Sequence, residues 1–289
     1  MIIVTGANGQ LGRRVVDRLL TRIPAERVGV SVRDPRKAQA LADRGVRVRQ
    51  GSFTDPAGLA HAFEGATQVL LVSVDKMGAE TVREHRSAIG AAVAAGAGRI
   101  LYTSQMGASA ASHFQACRDH DATESALRAC GVPFTSLRNG FHAASALMFL
   151  GDALETGEIA LPADGPVCWT THDDLAEAAA VVLADEGRFD GPTPSLTAGQ
   201  ALTFADIAAL ATGLTGRAVK RTVVSDEEFR ERMVGQGAPA EVADQLLGIF
   251  AASRAGEFSA ADPALPALLG REPVTMDTVL RDRLSGGGA

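Results

Sequence analysis

The sequence has few of the residues that mark disulfide-rich, nucleic-acid-binding or membrane proteins. Its 289 residues include three cysteines, one tyrosine, one tryptophan and 4% aromatic residues. The cysteines, Cys117, Cys130 and Cys168, are odd in number and lack metal-ligand spacing. We therefore expect reduced thiols without a catalytic role, and no metal site.

Charge and hydropathy exclude two further classes of partner. The net charge is -6 and no basic block is present, so we predict no nucleic-acid partner. No apolar run approaches the roughly 18 residues of a membrane helix, which predicts no membrane partner. The N-terminus shows no basic region followed by a cleavage site, and we expect a cytoplasmic protein.

The N-terminal segment carries the most informative motif. An apolar run over residues 1–4 precedes T-G-A-N-G-Q-L-G at residues 5–12, and a helical pattern follows over residues 13–20. Gly6, Gly9 and Gly12 allow a tight turn, close approach to a pyrophosphate and packing of the helix on the strand. The spacing is G-x-x-G-x-x-G rather than G-x-G-x-x-G, so an ordinary glycine-rich turn is the alternative.

Strand and helix patterns then alternate. Helical segments over residues 79–95 and 116–129 end before Gly96 and Gly131, where C-caps belong. This alternation predicts an α/β fold with a Rossmann-like, doubly wound parallel sheet. Ligands of such sheets bind beyond the carboxyl ends of the strands, here residues 6–12, 33–34, 51–55, 73–78, 103–107 and 138–142. The predicted strands after the first are residues 28–32, 46–49, 68–72, 99–103 and 133–137.

The pattern changes after about residue 150. Residues 147–156 look helical, 158–162 form a short strand, 172–185 an amphipathic helix and 195–197 another short strand. From Thr203 onward the chain is largely helical. We predict a cofactor-binding domain over residues 1–150, to which residues 166–198 return, and a smaller, mostly helical substrate-capping lobe over residues 199–289 with 151–165.

The end of the second predicted strand favours one nicotinamide cofactor. An acidic side chain here accepts the ribose hydroxyls of NAD, whereas a cation accommodates the 2′-phosphate of NADP. Arg33 and Lys37 therefore favour NADPH over NADH, although Arg33 as a plain solvated charge is the alternative. Asp34 precedes Pro35, an arrangement typical of a helix N-cap followed by proline.

The only tyrosine constrains the chemistry. Short-chain dehydrogenases that act on alcohols commonly use a Tyr-x-x-x-Lys pair. Tyr102 is followed four residues later by Met106, so that pair is absent, and Tyr102 lies in a predicted strand where a core role is expected. The sequence therefore argues against ordinary alcohol dehydrogenase chemistry.

Several motifs together resemble the NmrA-like, atypical short-chain dehydrogenase family, and within it the bacterial type-2 NAD(P)H:quinone oxidoreductases. They are T-G-A-N-G-Q-L-G at Thr5, V-R-D-P-R-K-A-Q-A-L-A at Val32, V-R-Q-G at Val48, Y-T-S at Tyr102 and L-R-N-G-F at Leu137. The resemblance implies NADPH bound across a Rossmann-like domain, a smaller C-terminal lobe and hydride transfer to a quinone without the tyrosine-lysine pair.

The same resemblance implies the cofactor contacts. The glycine turn and Arg33 would hold the phosphates, the segment after the fourth strand the adenosine-to-ribose stretch, and the ends of the fifth and sixth strands the nicotinamide side. The residues are Gly6, Asn8, Gly9, Gln10, Leu11, Gly12, Arg33, Lys37, Ser73, Val74, Thr103, Ser104, Leu137, Arg138, Asn139, Gly140 and Phe141.

Quinone reduction suits the missing tyrosine-lysine pair, because the ring is electron-poor and the product oxyanion is a stabilised phenolate. An apolar floor of Met106, Phe114 and Phe141 could hold a flat ring as a substrate pocket, with plain core packing as the alternative. His113 and His120 are candidate proton donors. No catalytic residue is assigned.

The sequence departs from the family pattern at three places. Ser52 stands where the family commonly carries an aspartate, His172 stands where it carries an arginine, and residues 105–121 match poorly. An alternative function is therefore a non-catalytic, NADP-binding redox sensor that acts through a protein partner. A reductase or isomerase acting on another small carbonyl or ether substrate is a third. The sequence does not decide the oligomeric state.

Overall fold

The chain alternates strands and helices through most of its length. The computed structural model describes residues 1–286. The strands are β1 (Ile2–Thr5), β2 (Val28–Val32), β3 (Arg47–Gln50), β4 (Gln68–Leu71), β5 (Arg99–Gln105), β6 (Phe134–Asn139), β7 (Phe141–His142), β8 (Glu158–Pro162), β9 (Trp169–Thr170), β10 (Gly191–Pro192) and β11 (Lys220–Val224). The helices are α1 (Gln10–Leu19), α2 (Gln39–Ala42), α3 (Pro56–Phe63), α4 (Ala79–Ala94), α5 (Gln115–Ala129), α6 (Ala143–Leu150), α7 (Ala153–Thr156), α8 (His172–Ala184), α9 (Phe204–Thr215), α10 (Asp226–Gly235), α11 (Ala240–Arg254), α12 (Ala264–Leu269) and α13 (Met276–Gly286).

The main sheet has seven parallel strands in the order β10-β6-β5-β4-β1-β2-β3. The chain winds outward from β1 to β3 in one direction, then returns to β4 and winds outward in the other. The direction of winding therefore reverses between β1 and β4. In open α/β sheets a crevice for ligands opens at this reversal, beyond the carboxyl ends of the strands.

Each central strand buries both of its faces. Ile2 and Val4 of β1 pack in one hydrophobic cluster with α1 and α8, whereas Ile3 packs in another with α3 and α4. The alternation follows from the two-residue period of a strand, and burial on both faces explains why the strands read as continuous apolar runs. Helices thus cover both faces, and the predicted Rossmann-like, doubly wound α/β fold is confirmed.

A third hydrophobic cluster lies outside the main sheet. It is rich in aromatic residues, among them Phe141, Trp169, Phe204 and Phe250, and it is contributed largely by the segments after residue 140. This part of the chain also contains two small parallel strand pairs, β8 with β11 and β7 with β9. The C-terminal part is mostly helical, as predicted, but β11 was not expected from the sequence.

The predicted elements agree with the structure in type, with differences at their ends. The strand predicted over residues 28–32 coincides with β2, and β5 and β6 continue two residues beyond prediction. The helix predicted over residues 147–156 is interrupted at Gly151, which adopts a φ of 52°. The strand predicted over 195–197 is reduced to one bridge between Leu196 and Asn139.

The second part of the chain contacts the first through several elements. Helix α8 packs against α1, and β10 pairs with β6 at the edge of the main sheet. The division into a cofactor domain and a capping lobe stays a prediction. Among residues 1–286, no helix has the length and apolar character needed to cross a bilayer.

Candidate active site

The glycine turn lies between the end of β1 and the start of α1. Gly6 adopts a φ of +63°, and its carbonyl accepts a hydrogen bond from the amide of Gly9 at 2.8 Å. A Cβ atom on Gly12 would collide with the same carbonyl of Gly6. Gly9 is the N-cap of α1 and offers no side chain to cap the first amides, and the first turn has no acidic residue. These amides therefore remain available to an anion at the reversal point of the sheet.

Two threonine hydroxyls anchor the segment that follows β4. Thr5 at the end of β1 accepts a hydrogen bond from the amide of Val72, and Thr103 of β5 accepts one from the amide of Ser73, both at 2.8 Å. A Cβ atom on Gly6 would lie 3.3 Å from Cβ of Val72. Residues 72–74 are thereby fixed beside the glycine turn, where the resemblance predicts the adenosine-to-ribose stretch.

Two arginines follow the end of β2, and within residues 1–286 only one of them forms an ion pair. Asp34 caps the following 3-10 turn through the amide of Arg36 at 3.1 Å and binds the Arg36 guanidinium at 3.0 and 3.1 Å. Arg36 holds the pKa of Asp34 below its ordinary value. The capping role predicted for Asp34 is therefore observed. Arg33 and Lys37 are exposed and form no ion pair within residues 1–286. The backbone carbonyl of Asp34 accepts from Asn8 of the glycine turn at 3.0 Å, which joins the two segments.

The ends of β5 and β6 are joined by a buried carboxylate. Glu124 of α5 is 0% exposed and accepts a hydrogen bond from Ser104 at 2.8 Å. It also binds the guanidinium of Arg138 through two contacts, of 3.0 and 2.7 Å. Leu137, between these polar positions, points into the main core. The side chains of Ser104 and Arg138 are thus occupied by structural contacts.

The segment after β6 is tightly enclosed. A Cβ atom on Gly140 would collide with the hydroxyl of Thr170, which explains the glycine. Oδ1 of Asn139 is buried and has no hydrogen-bond partner among the described residues. A buried polar atom without a partner is uncommon, and it marks Asn139 as a residue able to receive a ligand.

The three residues predicted to form an apolar floor are brought together. Met106, Phe114 and Phe141 are 1%, 5% and 4% exposed and belong to the same hydrophobic cluster. The rings of Phe114 and Phe141 lie 6.0 Å apart, and Phe258 of the C-terminal part packs against both. The pocket formed by these three residues stays a prediction.

A chain of hydrogen-bonding groups runs from Ser73 to the predicted donor His120. The phenol oxygen of Tyr102 lies 2.7 Å from Nδ1 of His120 and 3.4 Å from Nδ1 of His85. Nε2 of His85 lies 3.3 Å from both the hydroxyl of Ser73 and the amide of Val74. His85 was not predicted from the sequence, because no motif surrounds it in α4. Its role follows from the structure, which buries it beside the segment after β4.

Burial controls the protonation of this chain. It lowers the pKa of His85 to about 4 and that of His120 to about 3, with smaller contributions to His120 from His85 and His142. Burial also raises the pKa of Tyr102. All three side chains are therefore neutral at neutral pH.

The other predicted donor, His113, has a different partner. Its Nδ1 lies 2.6 Å from a carboxylate oxygen of Glu257, and its amide donates to the same oxygen at 3.0 Å. This arrangement fastens the loop before α5 to the C-terminal part. The rings of His142 and His172 are tilted by 45° with centroids 4.2 Å apart, and burial lowers the pKa of His142 to about 4. In the described part of the chain, no group of three or more His, Cys, Asp or Glu side chains could hold a metal ion.

Comparison with known proteins assigns the chain to a family. The profile of the NmrA-like family matches residues 1–276. Quinone oxidoreductase 2 of Escherichia coli strain K12 is 35% identical over 277 residues, which cover 96% of each protein.

Solved structures show the same similarity in three dimensions. An NADPH-dependent quinone oxidoreductase from Escherichia coli, complexed with NADPH, superposes with a TM-score of 0.92 at 33% identity, covering 98% of this chain and 100% of that one. The triphenylmethane reductase of a Citrobacter species, complexed with NADP(H), gives a TM-score of 0.90 at 33% identity over 98% and 99% of the two chains.

Proposed function

The chain belongs to the NmrA-like family, and on that premise we propose that it is an NADPH-dependent reductase that transfers hydride to a quinone or a similar electron-poor molecule. The observation that carries this proposal is the uncapped glycine turn at the reversal point of the sheet, beside Arg33, which has no ion-pair partner in the described part of the chain. A pyrophosphate fits the first element and a 2′-phosphate fits the second.

The residues present fit this cofactor. The amides of residues 10–12 would bind the pyrophosphate, and Arg33 with Lys37 would bind the 2′-phosphate. Asp34 is occupied by Arg36, so it is a poor acceptor for the ribose hydroxyls that distinguish NADH. Asn139, with its unpartnered Oδ1, would face the nicotinamide side.

The chemistry divides between the cofactor and the chain. Bound NADPH supplies a hydride, and a quinone accepts it on an already electron-poor ring. The chain positions the ring and excludes water, which supports rate acceleration without a tyrosine-lysine pair. Met106, Phe114 and Phe141 would form the apolar floor under the ring.

The burial of this floor also favours a second function. Phe114 and Phe141 are packed against Phe258, so the fold can form without an open slot above the nicotinamide. A redox sensor needs the dinucleotide site and a partner surface, but no such slot. A reductase needs the slot.

A substrate panel separates the two functions. We expect the purified protein to consume NADPH, followed by its absorbance at 340 nm, when a small benzoquinone or naphthoquinone is added. Calorimetry of NADPH and NADH binding is the companion measurement. Saturable NADPH binding without consumption across the quinones would favour the sensor, and equal affinity for both cofactors would contradict the role of Arg33.

A further inference from the structure

We infer that His120 donates the proton that completes quinone reduction, and that Tyr102 and His85 return a proton to it. This inference rests on the proposed function. It concerns the step that hydride transfer leaves unfinished, because a quinone that has accepted hydride is an anion until its oxygen is protonated.

The hydrogen bond to Tyr102 determines which nitrogen of His120 carries the proton. His85 accepts from the amide of Val74 at Nε2 and so presents Nδ1–H towards the Tyr102 oxygen, which leaves the Tyr102 O–H to donate to Nδ1 of His120 at 2.7 Å. A neutral imidazole that accepts at Nδ1 carries its proton at Nε2. Nε2 has no hydrogen-bond partner within residues 1–286, and the side chain is partly exposed. His120 therefore presents one N–H donor to a ligand.

The surroundings place that donor in the crevice. His120 lies one helical turn before Glu124, which binds the ends of β5 and β6. The preceding residue, Asp119, accepts from the amide of Gly78 at 2.6 Å, in the loop after β4. His142, just after β6, lies close enough to lower the pKa of His120. His120 is thus enclosed by the carboxyl ends of β4, β5 and β6, the edge predicted to hold the nicotinamide.

His85 is held in the opposite tautomer. Its Nε2 accepts from the amide of Val74, so its proton lies on Nδ1. Nδ1 lies 3.0 Å from the hydroxyl of Thr123 and 3.4 Å from the oxygen of Tyr102. Thr123 donates its own proton to the carbonyl of Asp119 at 2.8 Å, so its oxygen accepts from Nδ1–H of His85, which is shared with the more distant oxygen of Tyr102. Because the two histidines are in opposite tautomers, the hydrogen bonds between them all point the same way, from His85 through Tyr102 to His120.

The transfer balances in protons at every step. Nε2–H of His120 gives its proton to the oxyanion of the reduced quinone, and Nδ1 takes the proton of the Tyr102 hydroxyl. The Tyr102 oxygen takes the proton of Nδ1 of His85, and Nε2 of His85 takes one from Ser73. Ser73 is partly exposed and recovers a proton from water. The concerted transfer keeps every side chain neutral, as burial requires. It leaves both imidazoles in the reversed tautomer, and the starting state returns when Nε2 of the partly exposed His120 takes a proton from water and the same path passes one back out through Ser73.

Other side chains are less suited to the role. Tyr102 is 0% exposed and cannot touch a substrate directly. His113 is bound to Glu257. His120 has both a free N–H and a hydrogen-bonded path for replacing its proton.

The inference can be tested with two substrates, only one of which needs a proton for its reduction. Reduction of a quinone needs a hydride and a proton, whereas a cationic triphenylmethane dye becomes a neutral leuco product on accepting hydride alone. We expect His120→Gln to lower kcat for a benzoquinone by roughly 10- to 100-fold. The same variant should change kcat for the dye by less than about threefold. Tyr102→Phe should follow the same pattern, and His61→Gln, at an exposed site on α3, is the matched control.

A solvent isotope effect tests the same role with the quinone alone, and so does not require that this protein reduce the dye. The wild type should reduce the benzoquinone more slowly in D2O than in H2O, and His120→Gln should lose that dependence. An unchanged rate for the quinone, or equal losses with both substrates, would overturn the role of His120. A wild type that reduces neither substrate would contradict the proposed function instead.

A measurement that does not depend on activity examines the hydrogen-bonded chain itself. Nitrogen-15 NMR should show His120 protonated at Nε2 and His85 at Nδ1 in the wild type. In Tyr102→Phe the Nδ1 resonance of His120 should lose its hydrogen-bond shift. Finding both histidines in the same tautomer would refute the chain, whatever the kinetics show.

Discussion

The guanidinium of Arg138 on β6 forms a two-point ion pair with Glu124 on α5, whose side chain is completely shielded from solvent. Glu124 has a second, more exposed partner in Arg128 at 3.2 Å. The pair connects the last central strand to the helix that carries His120. It therefore determines how firmly that helix is held at the site.

Removal of Arg138 should destabilise the protein. Arg138→Met leaves the buried carboxylate with only Arg128 and Ser104, and removing one partner of a buried ion pair costs about 3 kcal/mol of unfolding free energy. Urea denaturation followed by circular dichroism measures the change. Arg128→Met, at a half-exposed position, should cost less than about 1 kcal/mol. Equal losses in the two variants would show that the burial of the pair is unimportant.

Replacement of Arg33 should separate the two nicotinamide cofactors. Arg33→Ala removes the cation expected at the 2′-phosphate, and NADPH binding should weaken by about 1.5–3 kcal/mol, the range for charge-assisted hydrogen bonds. NADH affinity should stay the same, as measured by titration calorimetry. Arg27→Ala provides a matched control, because Arg27 is exposed and precedes the opposite end of β2. A parallel loss of NADH affinity would contradict the assignment.

A methyl group at Gly12 should disturb the glycine turn. The new Cβ would meet the carbonyl of Gly6, and relief of that contact must shift the turn or α1. We expect Gly12→Ala to lose about 1–3 kcal/mol of stability and to bind NADPH weakly. Gly90→Ala in α4, where an added Cβ would have no atom of residues 1–286 within 4 Å apart from its chain neighbours and its own helix backbone, should instead gain about 0.5–1 kcal/mol. Thermal melting and cofactor titration of both variants provide the test.

Mild acid should unfold the protein partly through His85. Its pKa is lowered from 6.5 to about 4 by burial, so between those values the unfolded chain binds a proton that the folded chain excludes. Stability therefore falls as the pH drops through this window, by about 2 kcal/mol between pH 7.5 and pH 5 from His85 alone. Urea unfolding at the two pH values should show a smaller difference in His85→Gln. An identical pH dependence in that variant would contradict the buried neutral state.

The sequence predicted the local structure correctly where a residue type strongly favours one backbone arrangement. The tight turn at Gly6 and the N-cap of Asp34 before Pro35 follow from backbone chemistry, and both were predicted. The sequence pattern likewise predicted six of the seven strands of the main sheet, because burial on both faces gives the central strands continuous apolar runs, but it did not predict the two-residue β10.

The contacts that build the site were less accessible. Tyr102, His85 and His120 lie on three elements, and their separation in the sequence contains no periodic signal. Glu257, the partner of His113, lies 144 residues away along the chain. Glu124, the partner of Ser104, lies 20 residues away in α5, outside any motif. Such pairings depend on tertiary packing, which propensity and spacing do not encode.

The order in which the sheet is assembled has a consequence for synthesis. Val15, Val16 and Leu19 of α1 are fully buried, and much of their cover is α8, which begins about 150 residues later in the chain. At roughly 5–20 residues per second, translation leaves this apolar face without its partner for about 8–30 s. The segment that would bind the cofactor is therefore made first but enclosed late, and during that interval the nascent chain offers a binding surface to chaperones.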